Sequence, residues 1–298
     1  MQSSIKVILS LVCLLYLSTV SGCALFKPVR VAAVANTLND VAQAAAKQSD
    51  LNIIRQGSPA YLMLIDGLIE AYPDNRALLL AGCRAYSSYA STFEATKDPA
   101  EAAALYRKAK QYGFRALSSN GIDFGKAAGG SLQHFDAVLK RYGKKDVPAL
   151  FWTASAWASW IALKTDDVAA LADMPMLEAT MKRLLELDGS FYYGGPHLLM
   201  GVYLAAKPAA LGGSLTQAKA QFQQAFALGS DKLLMSKVLY AEYYARGTGN
   251  RALYVKTLQQ VLAAPADAVP ELTLANTVAQ KRARALLSKT EEYFAKQP

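Results

Sequence analysis

Few residues in this chain have the type and spacing for chemistry, and Cys23 leads them. A lone Lys6, an apolar run from Val7 to Leu17 and the small residues Ser21 and Gly22 precede it, the order of a cleaved secretory signal rather than of a membrane span. Cleavage before Cys23 would leave a thiol for diacylglycerol and an α-amine for a further acyl chain, and more than one chain gives stable anchoring. Cys23 is therefore read as a lipidation site, with residues 1–22 as the removed signal. Ala24 follows at the position where lipoproteins retained in the inner membrane generally carry Asp, which points to an outer-membrane anchor facing the periplasm. Of the remaining cysteines, Cys13 leaves with the signal. Cys83, behind Leu78-Leu79-Leu80-Ala81-Gly82, then stands alone and reads as a buried, inert thiol.

Catalytic vocabulary is sparse. The sequence holds no His-Glu-x-x-His, Gly-x-Ser-x-Gly, Walker loop, dinucleotide-binding glycine fingerprint or Cys-x-x-Cys. His134 and His197 are the only histidines, and His197, just after Gly194-Gly195-Pro196, reads as packing a helix end. No catalytic residue, metal site or cofactor is expected. Gly194-Gly195 and Gly212-Gly213 lack the lysine and hydroxyl spacing of a phosphate cradle and read as tight interhelical turns.

Aromatic and polar residues in apolar company are the other candidates. Phe151, Trp152, Trp157 and Trp160 spread large rings over more than one helical face, so at least one can line a groove instead of the core. Glu242 and Arg246 are four apart and can pair on one face, with Tyr243 beside them. Asn276 and Gln280 share a face; they either tie helices together or edge a ligand channel.

The elements that must position these residues read as helices throughout. Apolar residues recur at three-and-four spacing, Ala, Leu, Lys and Gln are abundant, and no β-branched alternation is sustained. Glycine and proline punctuation cuts the chain into about a dozen helices. Pro59, Pro99, Pro148, Pro175 and Pro196 each fall where a helix would begin, a position at which the missing N–H costs nothing. Short helices joined by tight turns favour stacked hairpins. Ala218-x3-Phe222-x2-Ala225 with Gly201 upstream, and Ala102-x3-Tyr106-x2-Ala109 with Gly82 upstream, match the tetratricopeptide pattern. Leu177, Met181 and Leu184 form a weaker copy, and Tyr254, Leu258 and Val261 another. The expectation is an all-α fold, an α-solenoid of helical hairpins with degenerate tetratricopeptide-like repeats. Its divisions would be the signal at 1–22, a lipid-anchored tether and N-terminal helix at 23–49, and the helical domain at 50–298.

Removing residues 1–22 leaves 276 of 298 residues, of a chain that is 53% apolar, enough for a sizeable core. One lysine leaves with the signal, so the formal charge of +9 becomes +8. The densest basic groups, Lys140-Arg141 with Lys144-Lys145 and Lys281-Arg282 with Arg284, read as solvated helix faces, and no nucleic-acid partner is expected.

Nearly the whole mature chain resembles the TatT family, the lipoprotein component associated with tripartite ATP-independent periplasmic (TRAP) transporters. The resemblance rests on Gly57-Ser58-Pro59-Ala60-Tyr61-Leu62, Leu68-Ile69-Glu70-Ala71-Tyr72-Pro73-Asp74-Asn75, the Tyr86-to-Phe93 stretch with Tyr89, and Tyr112-Gly113. It continues through Trp152-Thr153-Ala154, Trp157, Gly195-Pro196-His197, Leu211-Gly212-Gly213, Ala241-Glu242-Tyr243-Tyr244-Ala245-Arg246 and Leu274-Ala275-Asn276 with Ala279-Gln280. It implies an all-helical fold with a channel for hydrophobic ligands, association with a periplasmic solute-binding protein, and homotrimers. The channel candidates are then Tyr89, Trp152, Trp157, Glu242, Tyr243, Asn276 and Gln280. A small hydrophobic carboxylate would pass between this protein and its partner before transport. A general envelope tetratricopeptide scaffold without a transport role is the alternative reading, and an envelope enzyme ranks below both.

Overall fold

The computed structural model describes residues 27–92, 99–118 and 121–295. Cys23 and the signal lie outside the described residues, as does most of the Glu94-to-Pro99 connection. By Cα proximity the chain divides into two compact units, Met1–Ala42 and Gln43–Pro298. Helix α1 covers Lys27–Ala46, and the rest of the fold belongs to the second unit. Every regular element among the described residues is helical, and no helix there is long and apolar enough to cross a membrane.

In chain order the following helices are α2 (Leu51–Ala71), α3 (Arg76–Ser91), α4 (Pro99–Leu117), α5 (Phe124–Ala128), α6 (Leu132–Leu139) and α7 (Val147–Ala162). Then come α8 (Val168–Ala172), α9 (Met174–Asp188), α10 (Phe191–Ala206), α11 (Leu215–Gly229) and α12 (Met235–Leu239), which runs into a π-helical segment at Tyr240–Ala245. The chain ends with α13 (Arg251–Ala263), α14 (Thr273–Ser288) and α15 (Thr290–Phe294).

Caps explain many of the starts. Asp50, Asn75, Asp123, Ser131, Asp167, Ser214 and Asn250 each accept a backbone N–H from the first turn of the helix that follows. Pro99, Pro148 and Pro175 stand at or next to a helix start. Pro59 does not. It lies in the interior of α2, which starts at the Asp50 cap and runs unbroken to Ala71. The amphipathic stripe Ile54, Leu62, Ile65 and Ile69 is buried on both sides of the proline, and burial of that stripe outweighs the one hydrogen bond that Pro59 cannot donate.

Consecutive helices pack in pairs, most extensively α3 with α4 and α10 with α11. The residues of the repeat pattern form their inner faces. Ala102, Tyr106 and Ala109 are buried, as are Ala218, Phe222 and Ala225, Leu177, Met181 and Leu184, and Tyr254, Leu258 and Val261. The upstream small residues allow close approach: a Cβ on Gly82 would lie 2.8 Å from the Tyr112 ring, and one on Gly201 would lie 3.2 Å from Phe222. The Lys207-to-Gly213 connection folds back on itself, with Gly212 at φ 97° and no room for a side chain on Gly213, whose Cβ would fall 1.7 Å from the Lys207 carbonyl oxygen. The largest core cluster centres on Phe124, Phe135, Leu150, Trp157, Met181 and Leu184. At another point Ile54 of α2 packs with Leu274 and Val278 of α14, so an early helix of this unit meets a late one.

Candidate functional site

The sequence candidates do not share one place in the fold. Trp152, on α7, is half-buried in an aromatic group with Phe151, Tyr192 and, through Tyr192, Tyr193. The Trp152 ring centroid is 5.0 Å from Phe151 and 4.8 Å from Tyr192, both edge-on. Phe151 itself is buried, pressed against Gly195, where a Cβ would lie 2.5 Å from its ring. Adjacent residues on a helix point about 100° apart, which is how Phe151 enters the core while Trp152 keeps an open face. From α3, the Arg84 guanidinium lies over that face, 5.2 Å from the ring centroid.

Tyr192 reaches this group through an unusual backbone. Tyr192, Tyr193 and Gly194 take φ values of 46°, 59° and 78° at the start of α10, a left-handed turn that L-residues adopt at a cost. The turn is wedged. A Cβ on Gly194 would meet the Ala225 backbone at 3.0 Å, and one on Gly229 would meet the Tyr193 carbonyl oxygen at 2.9 Å.

Trp157 belongs elsewhere. It is fully buried, stacks edge-on with Phe114 at 4.9 Å and donates its indole N–H to Asp173 at 2.7 Å. The same carboxylate holds Lys110 at 2.8 Å, and Lys110 sits 4.0 Å above the Trp160 ring. Five residues separate Trp157 from Trp152, more than one turn, so the two rings face different sides of α7 and Trp157 is core.

Glu242 and Tyr243 lie on the π-helical segment. Glu242 does not pair with Arg246. Its carboxylate accepts from Arg282 of α14, at 3.1 Å from Nε and 2.9 Å from the second guanidinium nitrogen, while Arg246 lies 4.3 Å over Tyr293. Arg282 reaches the carboxylate from a neighbouring helix with two of its nitrogens, while the Tyr293 ring takes Arg246. On the same segment Tyr240 and Tyr244 form a parallel stack, 4.9 Å apart with planes at 17°. Tyr243 is half-buried beside them. Tyr89 is half-buried on α3; burial raises its phenol pKa, with Glu101 adding to the shift and Arg55 opposing it.

Asn276 and Gln280 tie backbone together. Asn276 is buried, accepts from the Leu234 N–H at 2.9 Å and donates to the carbonyls of Lys232 at 3.0 Å and Ala266 at 3.2 Å. Gln280 donates to the carbonyls of Ala264 at 2.7 Å and Val261 at 3.4 Å. Asn276 ties the connection between α11 and α12 to the one between α13 and α14, and Gln280 holds the end of α13.

Cys83, His197 and Glu178 are each held in packing or hydrogen bonds. Cys83 is fully buried and its thiol is pushed up to about 12 by desolvation. His197 Nδ1 is 2.7 Å from Gln221 Oε1, and its ring packs on Gly189. No cluster of three metal-ligating side chains occurs among the described residues. Burial opposes the ionisation of Glu178, yet hydrogen bonds from Lys182, Tyr203 and Lys207 hold its carboxyl at about 2. Arg84 and Tyr192 are the members of the aromatic group that sequence reasoning missed. Their signals were faint: a cation inside Ala81-Gly82-Cys83-Arg84-Ala85, and three successive aromatics before Gly194-Gly195.

A curated relative, an uncharacterized protein of Treponema pallidum (strain Nichols), is 27% identical over 271 residues, covering 86% of this chain and 84% of the relative. The family model for the TRAP transporter T-component matches residues 47–294, the span that carries all the contacts above, and the chain belongs to that family.

Proposed function

We infer that this protein is a lipid-anchored T-component that binds the periplasmic solute-binding protein of a TRAP system and holds a small hydrophobic carboxylate for handover. The family is one of transporter components, not of enzymes. The observation that carries the reading is the match over residues 47–294. The half-buried aromatic group around Trp152, with a cation laid over it, supports the ligand part, because such surfaces bind apolar molecules with one charged end. Cys23, acylated after signal cleavage, would hold the molecule at the outer membrane facing the periplasm, and the assembled form would be a homotrimer.

The test is sedimentation of the purified chain alone and mixed with a TRAP solute-binding protein of the same organism, at micromolar concentration. The reading expects a trimer alone and a larger species on mixing. A mixture that sediments as its separate parts would leave the general envelope scaffold as the better account. Mass spectrometry of the chain should show acyl groups on Cys23, globomycin should leave a precursor heavier by residues 1–22, and Cys23→Ser should carry no acyl mass; a non-acylated wild-type chain would remove the anchor.

A further inference from the structure

Three cation sites in this fold share one composition. Lys108 lies over the Tyr86 and Tyr112 rings and pairs with Asp66, which also accepts from both phenols at 2.7 Å. Lys110 lies over Trp160 and pairs with Asp173, which accepts from the Trp157 indole. Lys207 lies over Tyr203 and pairs with Glu178, which accepts from the Tyr203 phenol. Each combines a cation, aromatic donors and one carboxylate that satisfies them together.

The group at Arg84 has the first two parts and lacks the third. Arg84 lies over Trp152, and Trp152 touches Tyr192. Among the described residues no carboxylate pairs with Arg84, and neither the Trp152 indole N–H nor the Tyr192 hydroxyl has a hydrogen-bond acceptor. Arg84 is exposed and can be reached from solvent, while Trp152 and Tyr192 are half-buried around it. The charge of Arg84 acts on the phenols of Tyr192 and of Tyr61 on α2, opposing the upward push of burial on each. Tyr192 is held there by a left-handed turn that the fold maintains at a cost.

We propose that Arg84, Trp152 and Tyr192 form a carboxylate-binding site, with the ligand supplying the acceptor that the other three sites draw from Asp or Glu. A planar carboxylate matches the guanidinium fork and accepts from indole and phenol with its remaining lone pairs. The apolar body of the ligand then lies along the rings of Trp152 and Tyr192. This rests on the reading that the protein holds a small hydrophobic carboxylate, and it names the residues that grip its charged end.

The test is calorimetric titration of the purified mature chain with 3-phenylpropanoate, 3-phenylpropan-1-ol and acetate, in parallel with sedimentation of each variant with the solute-binding protein. Saturable binding of phenylpropanoate is expected, about tenfold or more tighter than the alcohol, with acetate weaker than phenylpropanoate. Arg84→Gln should reduce phenylpropanoate to the affinity of the alcohol, Arg84→Lys should recover part of the loss, and Trp152→Leu should weaken both aromatic probes. All three should keep the helical circular dichroism and the complex with the solute-binding protein. The proposal is overturned if phenylpropanoate binds no better than the alcohol, if neither binds saturably, or if Arg84→Gln leaves its affinity unchanged. Loss of the protein complex in Arg84→Gln with probe binding intact would also overturn it, by giving Arg84 to a carboxylate of the partner. Failure of the wild-type complex alone would count against the transport reading without touching this site.

Discussion

At the scale of single residues, buried polar side chains here do structural work that their sequence neighbourhood does not announce. Asn276 meets three backbone groups from two connections, so Asn276→Ala leaves one N–H and two carbonyls without their partner. A loss of about 2–4 kcal/mol is expected in urea unfolding, and a change under about 0.5 kcal/mol would show that water replaces the amide. Glu178 gives a pH signature. Its carboxyl is depressed from an ordinary 4.5 to about 2 in the folded chain, so its contribution is complete above the unfolded value and disappears as pH falls through the folded one. The thermal midpoint of the wild type should therefore drop between about pH 4.5 and 2 more steeply than that of Glu178→Gln, which is already less stable at pH 7. Parallel pH profiles would contradict the assignment.

At the scale of elements, the helices were legible because capping residues, punctuation and three-and-four periodicity agree, and the four apolar triads of the repeat pattern all turned inward. Three features were not legible, for physical reasons. Pro59 looks like a helix start, but tertiary burial of one stripe carries α2 through it. Pro59→Ala should accordingly restore an N–H to the ladder and raise stability by about 1–3 kcal/mol, read as a higher urea midpoint; a lower midpoint would mean that the kink-tolerant geometry is itself required. The Glu242–Arg246 pair fails because Arg282, forty residues on and on a neighbouring helix, takes the carboxylate with two of its nitrogens, which no i, i+4 rule anticipates. The left-handed turn at 192–194 is written only in its contacts with Ala225 and Gly229. Gly194→Ala therefore adds strain and a clash, and should cost about 2 kcal/mol or more. Candidate site residues suffered most from this gap: composition marked Trp152, Trp157, Asn276 and Gln280 alike, and only the fold separates an open ring from a core ring and a backbone tie.

At the scale of the whole molecule, the family match says which transport system the chain serves, and the contacts say how a helical protein of this kind could serve it. The closely packed pairs bury their repeat triads and leave a cation over half-exposed rings, the surface to which the proposed ligand is assigned. The central claim is that the protein works as a ligand-holding partner of a solute-binding protein. Native mass spectrometry of the full-length chain co-expressed with that solute-binding protein, released from membranes, tests it most directly. The account predicts a hetero-complex carrying the acylated chain together with a small acidic adduct that is lost from Arg84→Gln. Recovery of the acylated chain without the solute-binding protein, from cells that contain both, would contradict it.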